Sequence, residues 1–104
     1  MSNSGKGVLL EIITPEQMFY SGTVEMLIVP TTEGEEGFLS GHVWCVKLLA
    51  EKGRLKFREQ GTSVLKLAAI QGGYVDIRDH FVVYTDKAVW DEEIPENAEK
   101  NKKS

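Results

Sequence analysis

The chain has 104 residues, 41% of them hydrophobic, a formal charge of −4 and a single cysteine. This is the size of one domain, able to bury roughly 65% of its unfolded surface without staples. Cys45 has no partner for an intrachain disulfide or a cysteine-rich zinc site, and the acidic balance argues against nucleic acid, which is bound through clustered Lys and Arg.

No apolar run approaches the ~18 residues of a membrane-spanning helix. The first ten residues lack the basic-then-apolar order of a secretion signal. A soluble, intracellular chain is therefore expected.

Short apolar runs rich in β-branched and aromatic residues alternate with turn signals every eight to twelve residues or so, the pattern of an all-β sandwich or barrel. Residues 1–7 read as a flexible N-terminus. Val8 to Ile13 is a first strand stopped by Thr14-Pro15, and Met18 to Tyr20 a short second piece stopped by Ser21-Gly22. Thr23 to Val29 follows, with Val24, Met26 and Ile28 on one face and Thr23, Glu25, Leu27 and Val29 on the other. Pro30, which has no amide hydrogen, is expected to end that ladder.

Residues 29–42 then form an acidic segment punctuated by Gly34, Gly37 and Gly41, read as a loop that turns its carboxylates outward. Val43 to Leu49 fits either a strand or one and a half turns of helix; the β-branched and aromatic content of Val43, Trp44 and Val46 favours strand. Trp44 is expected to be core or half-buried, and Cys45 a small buried apolar residue. After the turn at Glu51-Lys52-Gly53, Lys52, Arg54, Lys56 and Arg58 line one face of a strand opposite Leu55 and Phe57, which reads as a solvated face.

Gly61-Thr62 closes a hairpin into Ser63 to Ala69, where Leu65 and Leu67 share a face. Gln71-Gly72-Gly73 interrupts the β pattern from Val64 to Ile77, as a bulge or a corner between sheets does. Arg78-Asp79-His80 is a turn and Phe81 to Thr85 the last clear strand. These elements make a flattened β-sandwich of about eight to ten short strands over residues 8–90. Residues 91–104 form a charged tail with little apolar material, expected to be a frayed helical turn or disorder.

Catalytic chemistry finds little support. Glu33, Glu35 and Glu36 lie on an exposed glycine-rich segment, which supplies little of the burial that a general acid needs, and they lack the ligand spacing of an EF-hand. Ser40 is too close in sequence to His42 for ordinary triad geometry. No catalytic residue, metal site or cofactor is expected.

Five motifs in order resemble the epsilon subunit of F-type ATP synthases. They are Leu10, Ile12, Thr14, Pro15 and Glu16; Tyr20-Ser21-Gly22-Thr23-Val24-Glu25; Val29-Pro30-Thr31 through Gly41-His42; Gly72-Gly73-Tyr74-Val75-Asp76-Ile77; and Phe81-Val82-Val83-Tyr84-Thr85-Asp86. The resemblance covers roughly Leu9 to Ala88.

It implies a β-sandwich in the central stalk, a non-catalytic rotor part that binds the gamma subunit and the c ring and couples proton flow to ATP synthesis. Thr14 and His42 are carried over as gamma contacts, and Glu33 and Glu35 as an acidic loop facing the c ring. The chain departs from the family pattern after the Gly-His pair, with Val43-Trp44-Cys45-Val46 in place of an A-P-L-L-type continuation, and has Ser40 where Pro is usual.

A two-helix hairpin of the family's kind needs about 40 residues, far more than follow Trp90, and Ile94 is followed by Pro95 rather than by an [IL]-D-x-x-R-A motif. No nucleotide binding and no helix-hairpin inhibition are therefore expected. The lack of a transit peptide points to the cytoplasmic face of a bacterial inner membrane, with attachment through the complex. The competing reading is a stand-alone β-sandwich adaptor or ligand-binding module.

Overall fold

The computed structural model describes residues 7–39 and 44–95. Nine strands are present among them: β1 (Val8–Ile13), β2 (Met18–Thr31), β3 (Gly34–Leu39), β4 (Cys45–Leu48), β5 (Gly53–Glu59), β6 (Val64–Ile70), β7 (Tyr74–Ile77), β8 (Phe81–Tyr84) and β9 (Ala88–Pro95). Hydrogen bonding runs continuously through β4-β7-β8-β1-β2-β5-β6-β9, with β3 added to β2. All neighbours are antiparallel except β1 and β8, where Leu10 pairs with Phe81 and Ile12 with Val83 in parallel.

This single sheet curls over itself into two layers. Period-two alternation explains why: Leu10 and Ile12, Leu55 and Phe57, Val75 and Ile77, and Phe81 and Val83 are all buried in one cluster, so their faces must meet. One layer is β4-β7-β8-β1; the other is β3-β2-β5-β6-β9. Strand β2 belongs to both, because its first half pairs with β1 and its second half with β3 and β5.

Several expectations change here. The two pieces read at Met18 to Tyr20 and Thr23 to Val29 are one strand, since Ser21 and Gly22 keep their pairing with Glu11 and Leu10. The expected faces of Thr23 to Val29 are also wrong: Val24, Leu27 and Val29 are the buried ones. Opposite β5, Val24 pairs with Glu59 and Met26 with Arg58, so Glu25 is an extra residue, and this bulge moves Leu27 and Val29 to the side of Val24.

Pro30 does not end the ladder. It lacks a donor, but its carbonyl still accepts from the Ala50 amide, and the strand runs on to Thr31. The acidic segment is correspondingly not a loop for most of its length, since Gly34 to Leu39 form β3 and only Thr32 and Glu33 make the turn. Its glycines do not prevent pairing with β2.

At the other end, β9 carries the backbone ladder through Pro95, paired with Val64, so the boundary expected at Trp90 falls inside a strand. Asp91 is bulged out of register there, and its carboxylate takes the Arg54 guanidinium at 2.8 Å. The remainder of the expected tail, 96–104, lies outside the described residues. The corner expected at Gln71-Gly72-Gly73 is confirmed: β6 pairs with β5 and β9 in one layer, whereas β7 pairs with β4 and β8 in the other. Gly73 needs to be glycine. Its φ is 101°, and a Cβ there would sit 1.8 Å from the Tyr84 carbonyl oxygen.

Candidate functional site: the outer face of strands β4, β7 and β8

Strands that are apolar at successive positions are apolar on both faces. In β8, Phe81 and Val83 point into the core, which leaves Val82 and Tyr84 outside. The register extends this outer surface in two rows: Leu48, Tyr74, Tyr84 and Ile13 in one, Val46, Asp76, Val82 and Glu11 in the other. Leu48 and Val46 are 65% and 57% exposed, and the Tyr74 and Tyr84 rings stack at 4.8 Å. Trp44, just before β4, is 62% exposed, contrary to the expectation of core packing. It precedes the sheet edge, where among the described residues no second layer covers it. Cys45 faces inward and packs partly buried against the core.

Two expected site residues bound this face. Thr14 lies beyond Ile13 at one margin, in the turn between β1 and β2. It is buried, and its hydroxyl donates to the Gln17 carbonyl and accepts from the Gln17 amide, both at 3.2 Å. Glu33 stands exposed at the tip of the β2–β3 hairpin on the other margin, where the Thr32 amide donates to the Leu48 carbonyl. The Thr31 hydroxyl holds this tip by donating to the Gly34 carbonyl at 2.6 Å and accepting from the Glu33 amide. Strands β1 and β4, at the two ends of these rows, are about 14 Å apart at a strand spacing of ~4.8 Å.

Glu35 is on β3 and turns to Lys56 at 3.5 Å, while Glu36 turns to Lys47 of β4 at the same distance. The structure thus separates Glu35 from the exposed tip that Glu33 occupies. His42 lies outside the described residues.

The middle of the opposite outer face is covered by the chain itself, while Leu39 and Val89 on its flanking strands are open. Lys56 and Arg58 lie beside Leu67 and Leu65, which do share a face and are 0% and 3% exposed. Arg58 pairs with Glu25 at 3.2 Å. Of the stripe expected to be solvated, Lys52 and Arg54 are exposed, whereas Lys56 and Arg58 are tied down by carboxylates from β3 and β2.

At the mouth between the layers, Tyr20 packs on Phe57 and against the edge of Trp90, and its hydroxyl donates to Glu59 at 2.6 Å. Burial pushes the Tyr20 phenol well above its ordinary range, and the bond to Glu59 and that carboxylate's charge push it further. Lys66 joins this group, with its ammonium 3.4 Å from Glu59 and near both aromatic rings. Among the described residues, no cluster of His, Cys, Asp or Glu could hold a metal ion.

Residues 8–91 match the family model of the β-sandwich domain of the ATP synthase delta/epsilon chain. The chain belongs to this family. Relatives named ATP synthase epsilon chain include that of Caldanaerobacter subterraneus, 38% identical over 82% of this chain and 61% of the relative, and that of Alkaliphilus metalliredigens, 41% identical over 82% and 62%. The epsilon chain of Leptospira interrogans is 35% identical over 93% of this chain and 75% of its own length. The chain thus spans about three-fifths of the first two relatives.

Among solved structures, a chain of the Euglena gracilis mitochondrial ATP synthase, in an assembly of OSCP, F1 and c-ring, superposes with a TM-score of 0.74 at 26% identity, covering 81% of this chain and 53% of that one. A chain from the central stalk and c-ring of the Tetrahymena thermophila mitochondrial enzyme gives 0.65 at 15% identity, over 79% of this chain and 65% of that one, and supports the delta/epsilon β-sandwich fold alone.

The apolar row of Leu48, Tyr74, Tyr84 and Ile13, with Val46 and Val82 beside it, was missed from sequence. The consecutive apolar residues of Phe81-Val82-Val83-Tyr84 carried the signal, because half of them had to face away from the core.

Proposed function

We propose that this chain is a central-stalk subunit of an F-type ATP synthase, working as a mechanical coupling with no chemistry of its own. The observation that carries this reading is the apolar face of Val46, Leu48, Tyr74 and Tyr84, bounded by the Thr14 turn and the Glu33 hairpin. A stable interface takes its energy from such buried aromatic and aliphatic anchors, with polar groups at the rim.

Gamma binds this face, with Thr14 at its margin, and the family motif adds His42 as a further gamma contact. Thr14 acts there through the shape of its turn, since its hydroxyl is already engaged with Gln17. Glu33, with Glu35 on the adjoining strand, faces the c ring and sets orientation more than affinity, because exposed ion pairs contribute about 0–1 kcal/mol. The chain is peripheral to the membrane, at the cytoplasmic face of a bacterial cell, and rotates as ions cross the membrane sector. The two layers resist shear because β2 hydrogen-bonds to strands of both.

Titration calorimetry with the gamma subunit of the same organism tests the reading. The parent binds, His42→Ala weakens binding, and the Glu33→Gln/Glu35→Gln double variant leaves gamma binding intact while weakening association with the gamma and c-ring assembly. A folded parent that binds neither gamma nor that assembly would return the weight to a stand-alone adaptor.

A further inference from the structure

A groove of about 320 Å³ opens where the Thr14-Pro15 turn meets the stacked Tyr74 and Tyr84, with Gly73, Thr85 and Asp86 also in its lining. Its polar inventory is short. The Thr14 hydroxyl is held by Gln17; the Thr85 hydroxyl donates to the Gln71 and Lys87 carbonyls and accepts from the Gln71 amide. The one charged group in the lining is the Asp86 carboxylate, and among the described residues no ion pair engages it. Lys52 borders Asp86 in the neighbouring hollow without pairing to it.

We infer that this groove is a receptor for an arginine side chain of a partner protein. The charge balance selects a cation: one free carboxylate and two tyrosine rings present negative charge and π-density, and the lining contains no Lys or Arg to oppose it. The shape selects guanidinium over ammonium, because a planar, weakly hydrated group stacks on an aromatic face while its N–H fork reaches a carboxylate. The methylenes of such a side chain would cover Ile13 and Pro15. Assigning that arginine to gamma rests on the rotor reading; the chemistry of the groove does not.

The probe is N-acetyl-arginine methylamide, titrated into the ¹⁵N-labelled chain, beside the neutral isostere N-acetyl-citrulline methylamide. The arginine probe shifts the Gly73, Tyr74, Tyr84 and Asp86 amides saturably, at roughly millimolar affinity for a single side chain at a partly exposed site, and the citrulline probe does not. Asp86→Asn, which breaks no bond in the fold, weakens the arginine probe about fivefold or more. Tyr84→Leu weakens it about twofold to fivefold, through the lost ring face.

Equal shifts with the two probes, no saturable shift, or an unchanged response in Asp86→Asn would overturn the inference. Intact gamma binding with a silent groove would remove the groove alone. An arginine response without gamma binding would remove the rotor reading alone.

Discussion

The two outer faces of this sandwich are built from the same kind of strand and end in opposite states. On β5 and β6, Lys56 and Arg58 reach carboxylates of β2 and β3, and Leu65 and Leu67 in the same rows are shut off from water within the chain. On β4, β7 and β8, Val46 and Leu48 stay open beside two stacked tyrosines. Both faces carry apolar side chains; on β5 and β6 they are covered within the chain, with Leu39 and Val89 left open on the flanking strands β3 and β9, whereas on β4 they are not covered. Contiguous exposed apolar surface on a folded domain marks a place where another molecule docks, which is why the proposed gamma contact is put on this half.

The contrast can be broken most severely at Gly73, whose close approach to Tyr84 brings the β6–β7 corner onto β8. Gly73→Ala combines a positive φ with a backbone clash and is expected to cost about 2–4 kcal/mol, read as a lower midpoint in urea unfolding. Next in size is Leu48→Ser. It changes stability by less than about 0.5 kcal/mol, as an exposed position should, yet lowers affinity for gamma about tenfold or more; unchanged affinity by calorimetry would mean that the apolar rows are not the docking face.

Smaller still is Tyr20→Phe, which probes the half that the chain seals for itself. Losing the bond to Glu59 costs about 1–2 kcal/mol at neutral pH. The unfolded phenol ionises near pH ~10 and the folded one at higher pH, so the parent's extra stability is complete below pH ~10 and is lost as pH rises beyond it. Denaturant titrations of the parent from pH 8 to 11 should show that decline, and the variant should lack this part of it. The smallest effect belongs to Glu35→Gln, which loosens Lys56 at the surface and shifts the thermal midpoint by an amount equivalent to less than about 1 kcal/mol.

Much of this architecture was legible in the chain. Alternation located β1, β5 and β8, and the Gln71-Gly72-Gly73 interruption marked the change of layer, because a local pattern of apolar residues and glycines determines those features. The bulge at Glu25 was not legible, since the extra residue is defined only against β5, distant in sequence, and it reversed which side of β2 is buried. Pro30 misled for a related reason: its missing donor matters only where a neighbour wants one, and Ala50 wanted an acceptor. The motifs led to Thr14 and Glu33 and the structure bounded a face with them, but the face itself depended on the pairing of β4, β7 and β8, which no local pattern encodes.

The parallel pairing of β1 with β8 has a consequence for how the molecule comes into being. Leu10 and Ile12 are made among the first residues of the domain, yet their partners on one side, Phe81 and Val83, are among the last. Until β8 leaves the ribosome, the β1–β2 hairpin has an open edge and an uncovered apolar face. Non-local pairings of this kind delay folding and leave nascent chains sticky. Synthesis rate and early chaperone contact should therefore govern the yield of this domain more than its final stability does.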